Sequence, residues 1–163
     1  MRPSRLALCL ALPALATAGV ILGSGASAES PAPRTLTFTE RQAGSTFTHI
    51  RNTKTTLPRS NSQGDLLVFT NPLADASGLI AGRLHVACVT TVGARDFRKS
   101  VLTCSGIVVL RDGTLSLQTT SSPGSSTTTA AVTGGTGAYA TARGVLVSTN
   151  TGRESTDTIT LAG

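Results

Sequence analysis

Few side chains in this sequence could do chemistry: two histidines, His49 and His85, three cysteines, and eight acidic residues set singly along the chain. Hydrolysis would need a fixed constellation, such as a serine on a G-x-S-x-G elbow or two imidazoles on one helical face in H-E-x-x-H. Neither pattern occurs, and there is no close carboxylate pair. His49 and His85 have no zinc-type spacing either, so no metal is expected. Each histidine could act as a base, although a histidine on a half-buried strand more commonly has a structural hydrogen-bonding role. The case for His85 as a ligand contact rests on Arg83, because side chains two residues apart share one face of a strand. Gly135, Gly137 and Ala140 fit G-x-G-x-x-A, and Asp157 lies twenty residues beyond Gly137. A dinucleotide site would require a helix to open there. The β-branched run Gly144 to Thr149 follows instead, so these glycines are assigned to a sharp backbone turn, and no cofactor is expected.

The elements that must position these residues are strands. Apolar and polar residues alternate in Leu36 and Phe38, in Leu84, Val86 and Cys88, and in Leu115 and Leu117, the period of half-buried β-structure. Asp112-Gly113 between apolar runs is the strongest hairpin signal. Strands are expected at about Thr35 to Arg41, Thr46 to Ile50, Leu66 to Asn71, Leu79 to Thr91, Ser100 to Leu110, Thr114 to Thr119, Thr127 to Thr133, Val145 to Thr149 and Thr156 to Leu161. Arg51 to Gln63 reads as a long polar loop near a barrel mouth. Thr119 to Thr129, centred on Ser-Ser-Pro-Gly-Ser-Ser, reads as a low-complexity hairpin connection. Eight or nine short strands make a sandwich or a closed barrel, and the pattern alone does not choose between them.

Residues 1–28 have the form of a secretory signal: Arg2 and Arg5, the apolar stretch Leu6 to Leu22, and the small-residue site Ala26-Ser27-Ala28. The apolar stretch is interrupted by Pro13 and Gly19, which favours removal over retention as an anchor. Residues 29–163 then form one domain of 135 residues, secreted and free of the membrane. Two of the fourteen basic residues and none of the eight acidic ones leave with the signal, so the net charge falls from +6 to +4. Arginines are scattered along the chain. The cluster Arg95-Asp96-Phe97-Arg98-Lys99 has one aromatic residue and both signs of charge, which suits a solvated loop and excludes a nucleic-acid stacking platform. Cys88 and Cys104 remain as an even pair on consecutive strands, and in an oxidising compartment a disulfide is the default. Closing a loop of that size is worth about 3 kcal/mol by chain entropy.

The run Gly134-Gly135-Thr136-Gly137-Ala138-Tyr139-Ala140-Thr141-Ala142-Arg143-Gly144 resembles a signature of plant dirigent proteins and, more loosely, of allene oxide cyclases and their bacterial barrel relatives. Gly64-Asp65-Leu66-Leu67-Val68-Phe69-Thr70-Asn71-Pro72-Leu73 is similar to a G-D-L-V-P-F-T-N-x-L stretch of the cyclases, and Gly82-Arg83 to a dirigent G-R pair. This resemblance implies an all-β, calycin-like fold, an eight-stranded antiparallel closed barrel with a ligand cavity. It also implies a homotrimer, and isomerase or cyclase chemistry if the protein is an enzyme.

Carried over residue by residue, Ser45 and Asn71 match polar cyclase residues that hold a cavity water and position the epoxide. Thr37 and Thr39 stand where the cyclases have an acidic residue and an asparagine, and Thr70 and Asn71 where dirigent proteins have paired aspartates. A threonine hydroxyl offers a weak neutral dipole where a carboxylate would stabilise positive charge. Arg143 is expected to pair with a carboxylate such as Asp65. The expected function is a secreted barrel that binds an apolar small molecule through Asn71, Ser45, Arg83 and His85 and steers its cyclisation or coupling. The alternative is a non-catalytic extracellular barrel that binds another protein or has a structural role.

Overall fold

A computed structural model describes residues 32–52, 61–152 and 154–162. The signal assigned to residues 1–28 and the middle of the polar loop at 53–60 lie outside the described residues. Nine strands follow one another: β1 (Arg34–Glu40), β2 (Thr46–Ile50), β3 (Leu66–Ala74), β4 (Ile80–Val92), β5 (Val101–Leu110), β6 (Gly113–Ser121), β7 (Thr127–Gly135), β8 (Gly144–Asn150) and β9 (Ser155–Leu161). Two single 3-10 turns, Phe97–Lys99 and Gly137–Tyr139, interrupt the series. Among the described residues no helix is long and apolar enough to cross a membrane.

All pairings are antiparallel, in the order β1-β9-β8-β7-β6-β5-β4-β3, and β3 pairs back to β1 through Thr39↔Ala74 and Glu40↔Leu73. The sheet therefore closes as an eight-stranded barrel. β2 is the ninth strand and pairs with the first part of β3, from Ile50↔Leu66 to Thr46↔Thr70. β1 and β2 thus act as two halves of one barrel strand, broken at residues 41–45. Pro72 lies opposite this break, where its missing N–H is no loss, and its carbonyl accepts from Arg41 N at 2.9 Å.

The core is unevenly distributed along the barrel axis. Leu73, Val108, Leu115 and Ile159 are fully buried and fill one end together with Phe38, Leu161 and Tyr139. A smaller cluster of Leu67, Cys88, Leu102 and Cys104 stands apart on the β3-β4-β5 wall. Cys88 and Cys104 form a disulfide between directly paired residues of β4 and β5. The glycine-rich segment forms the floor at the filled end. Thr136 N and Ala138 N donate to Thr114 and Asp112 carbonyls of the β5–β6 hairpin, both at 2.9 Å. Gly137 sits at φ +58°, where a Cβ would collide with the Asp112 carbonyl, so only glycine fits there. The turn thereby folds Tyr139 beneath the barrel, with the Arg34 guanidinium 5.5 Å from its ring centroid.

Candidate functional site

The unfilled end holds a cavity of about 270 Å³. It exists because the inward residues of alternate positions on β3, β4 and β5 (Leu67 and Phe69, Val86 and Cys88, Leu102 and Cys104) coat the wall, and none is large enough to cross the barrel. Gly106, also inward on β5, leaves space where any side chain would project. The deeper wall is Leu84, Leu117, Ala130 and Leu146. At the mouth lie Phe47 and Phe97, with the serines and proline of the β6–β7 loop. The charged loop Arg95 to Lys99 therefore does more than meet solvent, because its one aromatic residue faces the cavity.

The opposite side is polar, with Thr119, Thr128, Ser148, Asn150 and Ser155 around two carboxylates. Alternation along β1 places Leu36, Phe38 and Glu40 on the inner face, and on β9 it places Asp157 with Ile159 and Leu161. Phe38 is paired with Asp157, and Glu40 with Ser155, so Glu40 and Asp157 are diagonal neighbours on one face. Burial pushes the Glu40 pKa up from 4.5 to about 7, and the charge of Asp157 pushes it the same way, against a hydrogen bond from Asn71 Nδ2 to Glu40 Oε2. Burial also raises Asp157; Ser148 and Glu40 pull it back in part, yet neither Asp157 oxygen closes a hydrogen bond of full geometry. Two neighbouring carboxyl groups drawn out of water resist double ionisation, so the pair is built to hold one proton near neutrality. The sequence shows no close carboxylate pair; the register of β1 on β9 creates one from opposite ends of the domain. The signal that could have found Glu40 is the extension of the Leu36, Phe38 alternation by one step.

Asn71 and Ser45 come together, but in a polar recess of about 220 Å³ at the β1–β2 break, shared with Arg41, Gln42 and Glu154. Glu40 lines both the recess and the main cavity, whereas Asn71 and Ser45 line only the recess; Asn71 is linked to the lumen by its hydrogen bond to Glu40. Ser45 Oγ donates to the Arg41 carbonyl at 2.6 Å and closes the loop across the break. Arg83 and His85 share a strand face as alternation requires, and it is the outer one: both are exposed, while Leu84, Val86 and Cys88 face inward. His85 Nδ1 lies 3.1 Å from Thr70 Oγ1, its cross-strand partner on the outside of the barrel.

Asp65 is fully buried, and its partner is His49 rather than Arg143. Its carboxylate accepts from Asn52 N at 2.7 Å and Ser62 N at 2.9 Å, with His49 Nε2 at 3.1 Å. Burial raises its pKa, but these donors outweigh burial and hold it below 3.8. Arg143 donates to the Ala142 carbonyl, far along the chain from Asp65. Among the described residues no group of three or more His, Cys, Asp or Glu is placed to hold a metal ion.

No protein-family model and no curated protein matches this sequence. Solved structures do match it. A pyocyanin demethylase is 22% identical with a TM-score of 0.63, and the match covers 80% of this chain and 99% of that one. The Diels-Alderase AbmU from Streptomyces koyangensis is 15% identical with a TM-score of 0.60, over 84% and 70%. The pterocarpan synthase dirigent protein PsPTS1 is 16% identical with a TM-score of 0.58, over 82% and 96%. At these identities the likeness is one of fold. The chain has the allene oxide cyclase and dirigent-like barrel fold, shared with dirigent proteins and Diels-Alderases.

Proposed function

We propose that the mature protein is an exported barrel that holds an apolar small molecule in its lumen and steers that molecule's cyclisation or coupling. The observation that carries this reading is the open, apolar cavity with the Glu40–Asp157 pair set in its wall. A collapsed interior would have favoured a purely structural barrel. An apolar pocket with a few convergent polar groups is the common form of a small-molecule site, and holding a flexible reactant in one shape lowers the barrier to ring closure. The carboxyl pair adds a group that can give or take a proton near neutral pH. Structural neighbours that perform cycloadditions or serve as dirigent proteins support this reading through their shared fold.

Native mass spectrometry of the protein purified from its own culture supernatant tests it. The expected result is a non-covalent adduct of a few hundred daltons that is lost on denaturation, and Asn71→Ala should weaken its retention without unfolding the barrel. Reproducible absence of any adduct, with the Cys88–Cys104 bridge intact, would favour the second reading, an extracellular barrel that binds protein through its outer surface. One observation speaks for that surface: Leu66, Val68, Val89, Ile107 and Val109 are all exposed on the outer face of β3, β4 and β5. The homotrimer implied by the sequence resemblance would cover such a strip, and the same spectra report whether one chain or three fly together.

A further inference from the structure

The polar part of the lumen holds two acids among neutral hydroxyl and amide groups, with no counter-charge among the described residues that line it. Asp157 is 1% exposed and lines the cavity, and neither of its carboxylate oxygens closes a hydrogen bond of full geometry, with Ser148 and Glu40 as its polar neighbours. Glu40 faces the same space, with Asn71 on one oxygen. From β8, β9 and β3 the groups that face the pair are Ser148, Asn150, Ser155 and Asn71, all neutral. Among the described residues lining the lumen there is no lysine, arginine or histidine. The cation next to Glu40, Arg41, turns to the rim and pairs with Glu154 at 3.3 Å, while Arg34 at the other end of β1 is over Tyr139. A buried carboxylate is ordinarily paired or hydrogen-bonded; here the chain offers neutral groups, Asn71 to Glu40 and Ser148 beside Asp157, and among the described residues lining the lumen no cation.

Resting on the small-molecule reading above, we propose that the lumen takes an apolar organic cation, a protonated amine whose ammonium docks on Asp157 and Glu40 while its hydrocarbon body packs against Leu84, Leu117, Ala130 and Leu146. An ammonium brings three donors and a positive charge, which answers both deficits at once. An alcohol brings one donor and leaves the charge uncompensated. A carboxylate or phosphate ligand would add to the repulsion already present between Glu40 and Asp157. Ammonium binding favours the fully ionised pair, so it expels the proton the pair holds and strengthens as pH rises from 5 to 8.

Calorimetric titration of the mature protein with phenethylamine, phenethyl alcohol and hydrocinnamate at both pH values tests this. At pH 8 the amine should bind about tenfold or more tightly than the alcohol, as charge-assisted hydrogen bonds in apolar surroundings do. Its affinity should fall at pH 5, and Asp157→Asn should bring it down to that of the alcohol. Should Asp157→Asn fold poorly, Glu40→Gln offers the same comparison. Equal binding of amine and alcohol, tighter binding of the acid, or amine affinity untouched by both substitutions overturns the proposal. If the alcohol still binds in that case, the lumen remains a small-molecule site; if none of the three binds and no native adduct exists, both readings fall.

Discussion

Glu40 is the residue on which pH should act most clearly. Its pKa is 4.5 unperturbed and about 7 in the fold, raised first by burial and then by Asp157. The folded chain thus binds this proton more tightly than the unfolded chain, and stability is fully present below 4.5 and declines as pH rises through about 7. Asp157, also raised, contributes in the same direction. Scanning calorimetry should give a lower Tm at pH 8 than at pH 5, and Glu40→Gln should flatten the difference, which is on the order of 1–3 kcal/mol. Asp65 acts oppositely: its lowered pKa gives stability that is present above 3.8 and lost as pH falls through the folded value. Protonation there releases the Asn52 and Ser62 amides that tie down the start and end of the long loop. Asp65→Asn should therefore cost about 1–3 kcal/mol at neutral pH, since it leaves a buried donor set short of an acceptor, and urea denaturation would measure the loss.

At the scale of elements, β5 decides how much room the lumen has. Gly106 is buried, faces the cavity, and an added Cβ would meet only ordinary contacts at 3.4 Å from the His85 carbonyl and Val86. Gly106→Leu should therefore keep the barrel and fill the cavity, reducing ligand affinity at least about tenfold by simple occupancy; circular dichroism beside a binding titration separates blockage from misfolding. The element boundaries were legible from alternation and turn chemistry, and the Asp112-Gly113 hairpin lies where its sequence places it. What alternation left open was which face of each strand is the inside. On β4, Arg83 and His85 and the apolar set Leu84, Val86 and Cys88 are equally regular stripes. Exposed Val89, Ile107 and Val109 show that apolar character did not mark the inner face by itself. The glycine-rich segment was legible as a turn, while its service as a floor under Tyr139 depends on the β5–β6 hairpin arriving beside it.

Over the whole molecule, the disulfide compensates for a barrel that is packed at one end and open at the other. Cys88 and Cys104 are directly opposed on β4 and β5, sixteen residues apart, and both line the cavity. Replacing both with serine should cost about 3 kcal/mol by the loop-entropy argument and lower the Tm, with the open end fraying first; hydrogen exchange would localise the change to β4 and β5 rather than to the floor. The sequence by itself determined the all-β class, the nine strand positions, the cysteine pairing and the turn at Gly137, because each depends on local backbone preference or on a hairpin of short reach. Tertiary structure decided barrel closure through β1 and β3, the outward facing of Arg83 and His85, and the meeting of Glu40 with Asp157. These depend on register between strands at opposite ends of the chain, and only closing the sheet sets that register and turns two solitary acids into a coupled pair.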